Sequence, residues 1–185
     1  MQIDPIFERT FRRLYGKPCW GVQPGVGTMM TLQFGAPHLD VVEPRALPAG
    51  RVSAARRKGL TRRRIFVWGQ WHLSIRDCAW VVVSGGKRVG DRAPRSRDNK
   101  RIQSAAAELD GQALVRFSLD PRSLTCVFEF DQGATLTTRP HDADGVQWLL
   151  FAPRHQCLTL RADRKFSYGR SDSRRPQAWR PVARG

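Results

Sequence analysis

The sequence predicts a mainly β fold of the α+β class, in which antiparallel sheets are internally duplicated about a pseudo-two-fold axis. Short runs rich in β-branched and aromatic residues alternate with Gly, Pro and Asp turns through most of the 185 residues. Only two segments show helical periodicity, and the order of motifs in the first half returns in the second. We expect one globular domain over 1–168, with half-repeats over about 5–84 and 102–168, and a mobile basic tail over 169–185.

The first half begins with a short amphipathic helix over residues 5–15. Phe7, Phe11 and Leu14 recur at helical spacing, with a proline near the first turn and a glycine after the last. Strand-like runs follow, and a Gly-Ala-Pro turn makes the first two of them a predicted hairpin. These runs cover 28–34, 38–42, 64–68, 71–76 and 79–84.

Two basic segments interrupt the strand pattern of the first half. Residues 45–64 contain eight basic residues and no acid, with Gly and Pro and only scattered apolar residues. That composition is typical of a long exposed loop. Residues 87–101 are predicted to form a second basic loop.

The second half begins with a predicted helix over 102–109, where Ile102, Ala105, Ala106 and Leu109 share one face. Alternating runs with Asp-Pro-Arg and Asp-Gln-Gly turns then predict the strands of this half. They cover 113–119, 125–130, 135–138, 147–151, 157–161 and 165–168. The residues of both halves expected in the core are Phe34, Leu73, Val82, Phe128, Phe130, Leu149 and Leu158.

Four short matches indicate the duplication. Residues 14–17 resemble 109–112, 31–34 resemble 127–130, and 39–44 resemble 136–140. A fourth match aligns Trp71 with Trp148, which places the two tryptophans at equivalent positions. The number of residues that separates the matched positions is smaller for this last match than for the other three, which predicts that 45–64 is an insertion in the first half.

The stretch 128–153 combines an acidic-Gly hairpin, a Pro-x-Asp-x-Asp loop at Pro140, Asp142 and Asp144, and a strand that carries Trp148. This arrangement resembles the closing segment of small uncharacterised bacterial domains of unknown function. The resemblance implies a bacterial origin and supports the fold. It implies no activity.

The charge is the one extreme property of the chain: 32 basic residues against 16 acidic ones give a net charge of +16. Such an excess favours polyanionic partners, nucleic acid first. The basic residues are 27 Arg and five Lys, a skew that genome composition also produces, so this alternative stays open. No apolar run approaches the about 20 residues of a membrane span, and the N-terminus lacks a secretory signal, so we expect a cytoplasmic protein without membrane contact.

The sequence contains no recognisable catalytic or metal motif. Cys19, Cys78, Cys126 and Cys157 lie far apart beside apolar residues, which predicts reduced, buried thiols. The four histidines and these cysteines lack paired ligand spacing, and no nucleophile elbow or phosphate loop is present. We therefore expect no metal and no cofactor. An enzyme with an acidic site near 129–144 remains an alternative, because Glu129, Asp131, Asp142 and Asp144 lie close together in the sequence.

Three hypotheses of function follow. The leading one is a non-catalytic bacterial binding module with a protein partner, of which a toxin-neutralising immunity-type protein is one version. The second is a nucleic-acid-binding protein that uses the basic loops 45–64 and 87–101, with Arg62, Arg63, Arg64 and Trp68 at the contact surface. The third is the enzyme at 129–144. No catalytic residue is proposed, and the oligomeric state is left open.

Overall fold

A computed structural model describes residues 2–47, 53–92, 99–173 and 175–184. The three helices and fourteen strands within these ranges confirm a mainly β protein. The helices are α1 (Ile6–Phe11), α2 (Ala54–Thr61) and α3 (Asn99–Leu109). The strands of the first half are β1 (Gln2–Ile3), β2 (Cys19–Pro24), β3 (Met30–Val42), β4 (Arg64–Ile75), β5 (Cys78–Ser84) and β6 (Lys87–Arg92). Those that follow are β7 (Leu114–Leu119), β8 (Cys126–Phe130), β9 (Thr135–Pro140), β10 (Val146–Ala152), β11 (Gln156–Arg161), β12 (Lys165–Arg170), β13 (Arg180–Pro181) and β14 (Ala183–Arg184).

Two antiparallel sheets exchange strands between the halves. The larger has the order β13-β12-β11-β10-β4-β3-β2, and the smaller has the order β6-β5-β9-β8-β7. Each half therefore forms a three-stranded meander in one sheet and sends its next strands into the other sheet. The chain path of the second half, α3 through β11, repeats that of α1 through β6, so the predicted pseudo-two-fold relation is confirmed.

Reciprocal hydrogen bonds mark where the two halves meet. The Gly16 amide donates to the Leu114 carbonyl at 2.8 Å, and the Gly111 amide donates to the Cys19 carbonyl at 2.8 Å. Each of these glycines follows the helix of its own half and has a positive φ, which glycine adopts without steric cost. The first predicted match, which aligned these two glycines, is thus reflected in the structure.

The predicted equivalence of Trp71 and Trp148 is wrong. Trp148 lies on β10 opposite Ile75 of β4, whereas Trp71 lies on β4 itself. The strand equivalent to β10 is β5, on which Trp80 lies opposite Thr138 of β9. The Gln-Trp match was misleading because both tryptophans face the same core from neighbouring strands.

The register also merges two pairs of predicted strands. The runs 28–34 and 38–42 belong to the single strand β3, and the runs 64–68 and 71–76 belong to β4, so the hairpin predicted at Gly-Ala-Pro is wrong. These two strands pair from Met30 with Ile75 to Val42 with Arg64, with a bulge between Phe34 and Pro37. A bulge lets the strand continue through Gly35-Ala36-Pro37 by leaving residues unpaired.

Both basic segments contain regular structure, so their prediction as loops is wrong in part. The helix α2 occupies 54–61, where Ala, Arg and Lys have high helix propensity and Ser53 caps the Arg56 amide. In the other segment β6 pairs with β5, and α3 packs closely over Gly90. Residues 48–52 and 93–98 of these segments lie outside the described residues.

One hydrophobic core fills the space between the sheets. Aromatic rings of α1 contact both sheets, with Phe11 stacked on Phe117 at 3.8 Å and edge-on to Trp148 at 5.6 Å. Six of the seven predicted core residues are buried. Leu149 is the exception, since it is half-buried on the other face of β10.

The C-terminal tail adds one strand to the larger sheet and one to a separate two-stranded sheet. The composition of 169–185 predicts mobility, yet β13 pairs with β12 and β14 pairs with β1. Val182 enters the core and is 2% exposed, and Arg161 lies over the Trp179 ring at 4.9 Å. None of the helices among the described residues is long and apolar enough to cross a membrane.

Candidate functional site

The far ends of β3 and β4 form a two-stranded ribbon that carries α2 at its tip. We call this ribbon, residues 37–42 and 64–69, the arm. Its residues pair with each other, whereas β2 pairs with β3 only up to Phe34 and β10 pairs with β4 only from His72 onward. Within the described part of the chain, both edges of the arm are therefore unpaired.

The two faces of the arm differ in chemistry because side chains alternate along a strand. Four aliphatic residues form one face, which we call the aliphatic face, and they are 45–64% exposed. They are Leu39, Val41, Ile65 and Val67. The opposite face, the outer face, carries His38, Asp40, Arg64, Phe66 and Trp68, as the pairs His38 with Trp68 and Asp40 with Phe66 show.

Planar rings run from the outer face of the arm onto the larger sheet. Phe66 stacks on Trp68 with centroids 5.9 Å apart, Trp68 lies 4.6 Å from His72, and His72 lies edge-on to Phe151 at 5.6 Å. We call these four rings the aromatic ladder. Every one of them is half-buried, so part of each ring remains accessible. The guanidinium of Arg64 extends the series, 5.2 Å from the Phe66 centroid.

The ladder depends on a bend at Gly69. The bulge of β3 between Phe34 and Pro37 lies opposite this point, and a bulge bends a strand pair. Trp68 and His72 are in contact here, although residues four apart in a straight strand are separated by about 13 Å. A Cβ at Gly69 would lie 2.7 Å from the Phe34 carbonyl oxygen and 2.9 Å from that of Trp71. The Gly69 amide donates to Gln33 Oε1 at 2.9 Å, which fixes the bend.

A groove of about 920 Å³ lies beside the ladder, between the base of the arm and the turn from β10 to β11. Its lining includes three of the four histidines of the chain, namely His38, His72 and His155. Arg154 and His155 both have positive φ, about 60°, an uncommon conformation for residues with side chains. The Ser171 amide holds this turn by donating to the His155 carbonyl at 2.7 Å.

His72 forms the floor of the groove as a neutral ring. Burial, and secondarily the positive charge of Arg76, lower its pKa to about 4. The Gln33 amide has its oxygen engaged by Gly69, so its NH₂ donates to His72 Nδ1 at 3.2 Å. This network assigns the ring proton to Nε2 and makes His72 a hydrogen-bond donor on its remaining side.

Arg76 lines the same groove with an uncompensated charge. Its Nε is buried without a hydrogen-bond partner, and it forms no ion pair within the described ranges. The groove lining contains one other arginine, Arg154, and a single carboxylate, Asp40. A half-buried guanidinium without a carboxylate is energetically costly, so an anionic group of a ligand would be favoured there.

The predicted nucleic-acid residues are only partly brought together. Arg64 and Trp68 lie on the outer face, with Phe66 between them. Arg63 instead pairs with Glu43 at 3.0 Å, and Arg62 is an exposed residue at the C-terminus of α2. The alternation Phe66, Trp68, His72 could have indicated the ladder, but Phe151 and Arg154 come from a distant segment.

The acidic residues of 129–144 are divided between the two ends of β9. Asp131 lies at the turn between β8 and β9, where it accepts from the Ala113 amide, and Glu129 lies near Arg116. Asp142 follows the opposite end of β9, roughly 20 Å away for a strand of this length. Within the described residues no three His, Cys, Asp or Glu side chains gather at metal-binding distance.

All four cysteines are free and buried, as predicted. Burial raises the pKa of Cys19 and of Cys126 to about 12, and it raises the pKa of Cys78 and Cys157 as well. Thiols of this kind are poor nucleophiles at neutral pH.

Comparison of the chain with protein-family models, with curated proteins and with solved structures finds no match.

Proposed function

We propose that this protein is a non-catalytic binding module whose arm docks a partner protein through the aliphatic face. The observation that supports this most directly is the exposure of four neighbouring aliphatic side chains on a ribbon with unpaired edges. Isolated two-stranded ribbons are marginally stable in water, and contiguous exposed apolar side chains are typical of interaction sites.

The charge around the aliphatic face defines the chemistry of the partner. The helix α2 at the tip of the arm presents Arg56, Arg57 and Lys58 to solvent and has no acid in its first turn. With a net charge of +16 on the whole chain, a partner with an apolar patch and an acidic rim would be complementary. Neutralisation of a toxin by covering its surface is one version of this function.

The separation of the carboxylates and the raised thiol pKa values support a binding role over catalysis. Asp131 and Asp142 lie at opposite ends of β9, and buried thiols with a raised pKa are poor nucleophiles. Polar groups converge in the groove, and the carboxylate in its lining is Asp40.

The test compares wild type with Val67→Asp, which places a charge on the aliphatic face. Both proteins are immobilised, offered the same nuclease-treated cell extract, and the retained complex is analysed by hydrogen exchange. We expect Val67→Asp to lose the partner, and the amides of 37–42 and 64–69 to be protected in the wild-type complex. The matched control is Val26→Asp, since Val26 is 91% exposed in the turn between β2 and β3. Equal retention of the partner by wild type and Val67→Asp would contradict the proposal.

A further inference from the structure

We propose that the aromatic ladder and the groove beside it bind single-stranded nucleic acid. Phe66 and Trp68 of the ladder lie on the outer face of the arm, opposite the aliphatic face, so the site goes beyond the protein-docking role. The argument rests on four properties of described residues: accessible rings, unpaired positive charge, a hydrogen-bond donor and the shape of the site.

The rings offer stacking surfaces at successive positions. Phe66 and Trp68 lie nearly parallel, with an angle of 25° between their planes. Both residues are half-buried, so packing holds the rings in place while part of each side chain remains accessible to a ligand. Aromatic side chains in such rows hold successive bases of a single strand, because every base has a flat face.

Positive charge lies on both sides of the rings, where a phosphate backbone would run. Arg64 covers one end of the ladder, and Arg76 and Arg154 line the groove at the other end. Arg76 has a buried Nε without a hydrogen-bond partner, and no carboxylate within the described ranges neutralises it. A phosphate in the groove would supply the missing negative charge to the Arg76 guanidinium.

His72 adds a contact that a base can satisfy and an aliphatic ligand cannot. With Nδ1 accepting from Gln33, its Nε2 proton is available to a carbonyl or ring nitrogen of a base in the groove. Because its ring is neutral at physiological pH, His72 can stack against Trp68 and donate without adding a charge.

The arrangement favours a single strand over a duplex. In a duplex the base faces are already stacked on each other, so side-chain rings can reach them only after the strand is opened. The ladder follows one strand of a bent sheet and leads into a concave groove, which is a path for one chain of nucleotides.

The test is a fluorescence-anisotropy titration with labelled oligo(dT) and oligo(rU) of about 15 nucleotides, which exceeds the span of one small binding site. A hairpin duplex of similar length is the comparison, and each titration is run at roughly 50 and 200 mM salt. We expect the single strands to bind at least tenfold tighter than the duplex. Trp68→Ala should weaken the single strands by roughly tenfold or more, the loss that follows removal of one stacked base.

Two variants complete the design. Arg76→Gln should weaken binding several-fold and reduce the slope of log affinity against log salt by about 0.7, the value for one phosphate contact on a single strand. Phe66→Leu keeps an apolar side chain but removes a flat ring, and it provides a second measurement if Trp68→Ala is poorly folded. The matched control is Val26→Ala, since Val26 is 91% exposed in the turn between β2 and β3, away from the ladder, and its affinity should equal that of wild type.

Three results would overturn the inference. The first is equal affinity for duplex and single strand, which indicates general attraction to the charge of the chain. The second is wild-type affinity in both Trp68→Ala and Phe66→Leu. The third is binding no tighter than about 10⁻⁴ M at physiological salt, the weak limit of non-specific association. None of these results affects the protein-docking proposal, whose own variant is Val67→Asp.

Discussion

The same fold unit serves two purposes in the two halves of the chain. It is the β3–β4 hairpin in the first half and the equivalent β8–β9 hairpin in the second. Both place a large aromatic residue at the end of the buried part of the first strand, Phe34 in one and Phe130 in the other. In the second half the chain then reverses at once, with Gly133 at a φ of 88°. In the first half it continues through a bulge into the arm.

The difference teaches that the core does not require the arm. A short turn is enough to close the β8–β9 hairpin and to seat Leu136 and Ala134 in the core. The arm therefore adds exposed apolar and basic surface to a unit that is already complete, and its exposed aliphatic residues contribute little to burial. Surface of this kind is retained for interaction rather than for stability.

The largest expected effect breaks the shared part of the two hairpins. Phe130→Ala and Phe34→Ala should each lower the free energy of unfolding by about 3–5 kcal/mol, because both empty a buried aromatic site. Phe66→Ala, in the arm, should lower it by less than either, because that ring is only half-buried. Urea denaturation of the three variants measures this order. A loss below about 1 kcal/mol at Phe34 or Phe130 would show that the two positions are not equivalent parts of one core.

The next effect is a pH dependence that belongs to one hairpin only. His72 has a lowered pKa of about 4 in the folded protein, whereas Thr135 occupies the equivalent position of β9. Between pH 6.5 and 4 the unfolded chain binds a proton at this histidine and the folded chain does not, so the free energy of unfolding falls as the pH falls through this window. The loss is at most about 3 kcal/mol.

His72→Thr makes the two hairpins alike at this position and tests that effect. Subtracting the unfolding free energy of the variant from that of wild type, at several pH values, cancels the titration of other groups. We expect the free energy of unfolding of wild type to fall relative to that of the variant as the pH falls from about 6.5 to about 4. A difference that is constant over this window would mean that His72 titrates normally in the folded protein.

The sequence was informative where local pattern decides structure. Strand alternation and the glycines that follow the helices predicted the mainly β fold and the duplication, and both are confirmed. Pattern could not reveal that β3 continues through Gly35 and Pro37, because that depends on pairing with the long strand β4. For the same reason Trp71 was aligned with Trp148 in place of Trp80.

The candidate site was predictable only along one strand. Arg64 and Trp68 were identified because both belong to a basic and aromatic run. Arg62 and Arg63 were predicted together with them but are not part of the outer face. Arg63 instead pairs with Glu43. The groove needs the turn after β10, which lies over 80 residues further along the chain, and no local pattern connects the two.

A smaller effect on stability distinguishes the bend at Gly69 in the arm from the turn at Gly133 in the β8–β9 hairpin. Gly69→Ala should lower the free energy of unfolding by about 1–3 kcal/mol, because the new Cβ meets backbone atoms that cannot move aside. Gly133→Ala meets no atom within 4 Å, so its cost of about 1–2 kcal/mol arises only from the positive φ. Gly69→Ala should also disrupt the contact between Trp68 and His72. Tryptophan fluorescence measured between pH 4 and 7 reports this contact. Unchanged fluorescence together with unchanged stability would show that the bend tolerates a side chain.

The smallest expected effect concerns the ion pair at the base of α2. Arg63 and Glu43 lie 3.0 Å apart, yet their side chains are 63% and 59% exposed, so water and salt screen the attraction. A double-mutant cycle with Arg63→Ala and Glu43→Ala should give a coupling energy of about 0.2–1 kcal/mol. Because Arg63 is occupied by Glu43 and Arg64 lies on Phe66, the same Arg63→Ala variant should change single-strand affinity less than Arg64→Ala does. Equal losses of affinity for the two variants would mean that the three arginines act only through their total charge. The position of Arg64 on the outer face of the arm would then not matter.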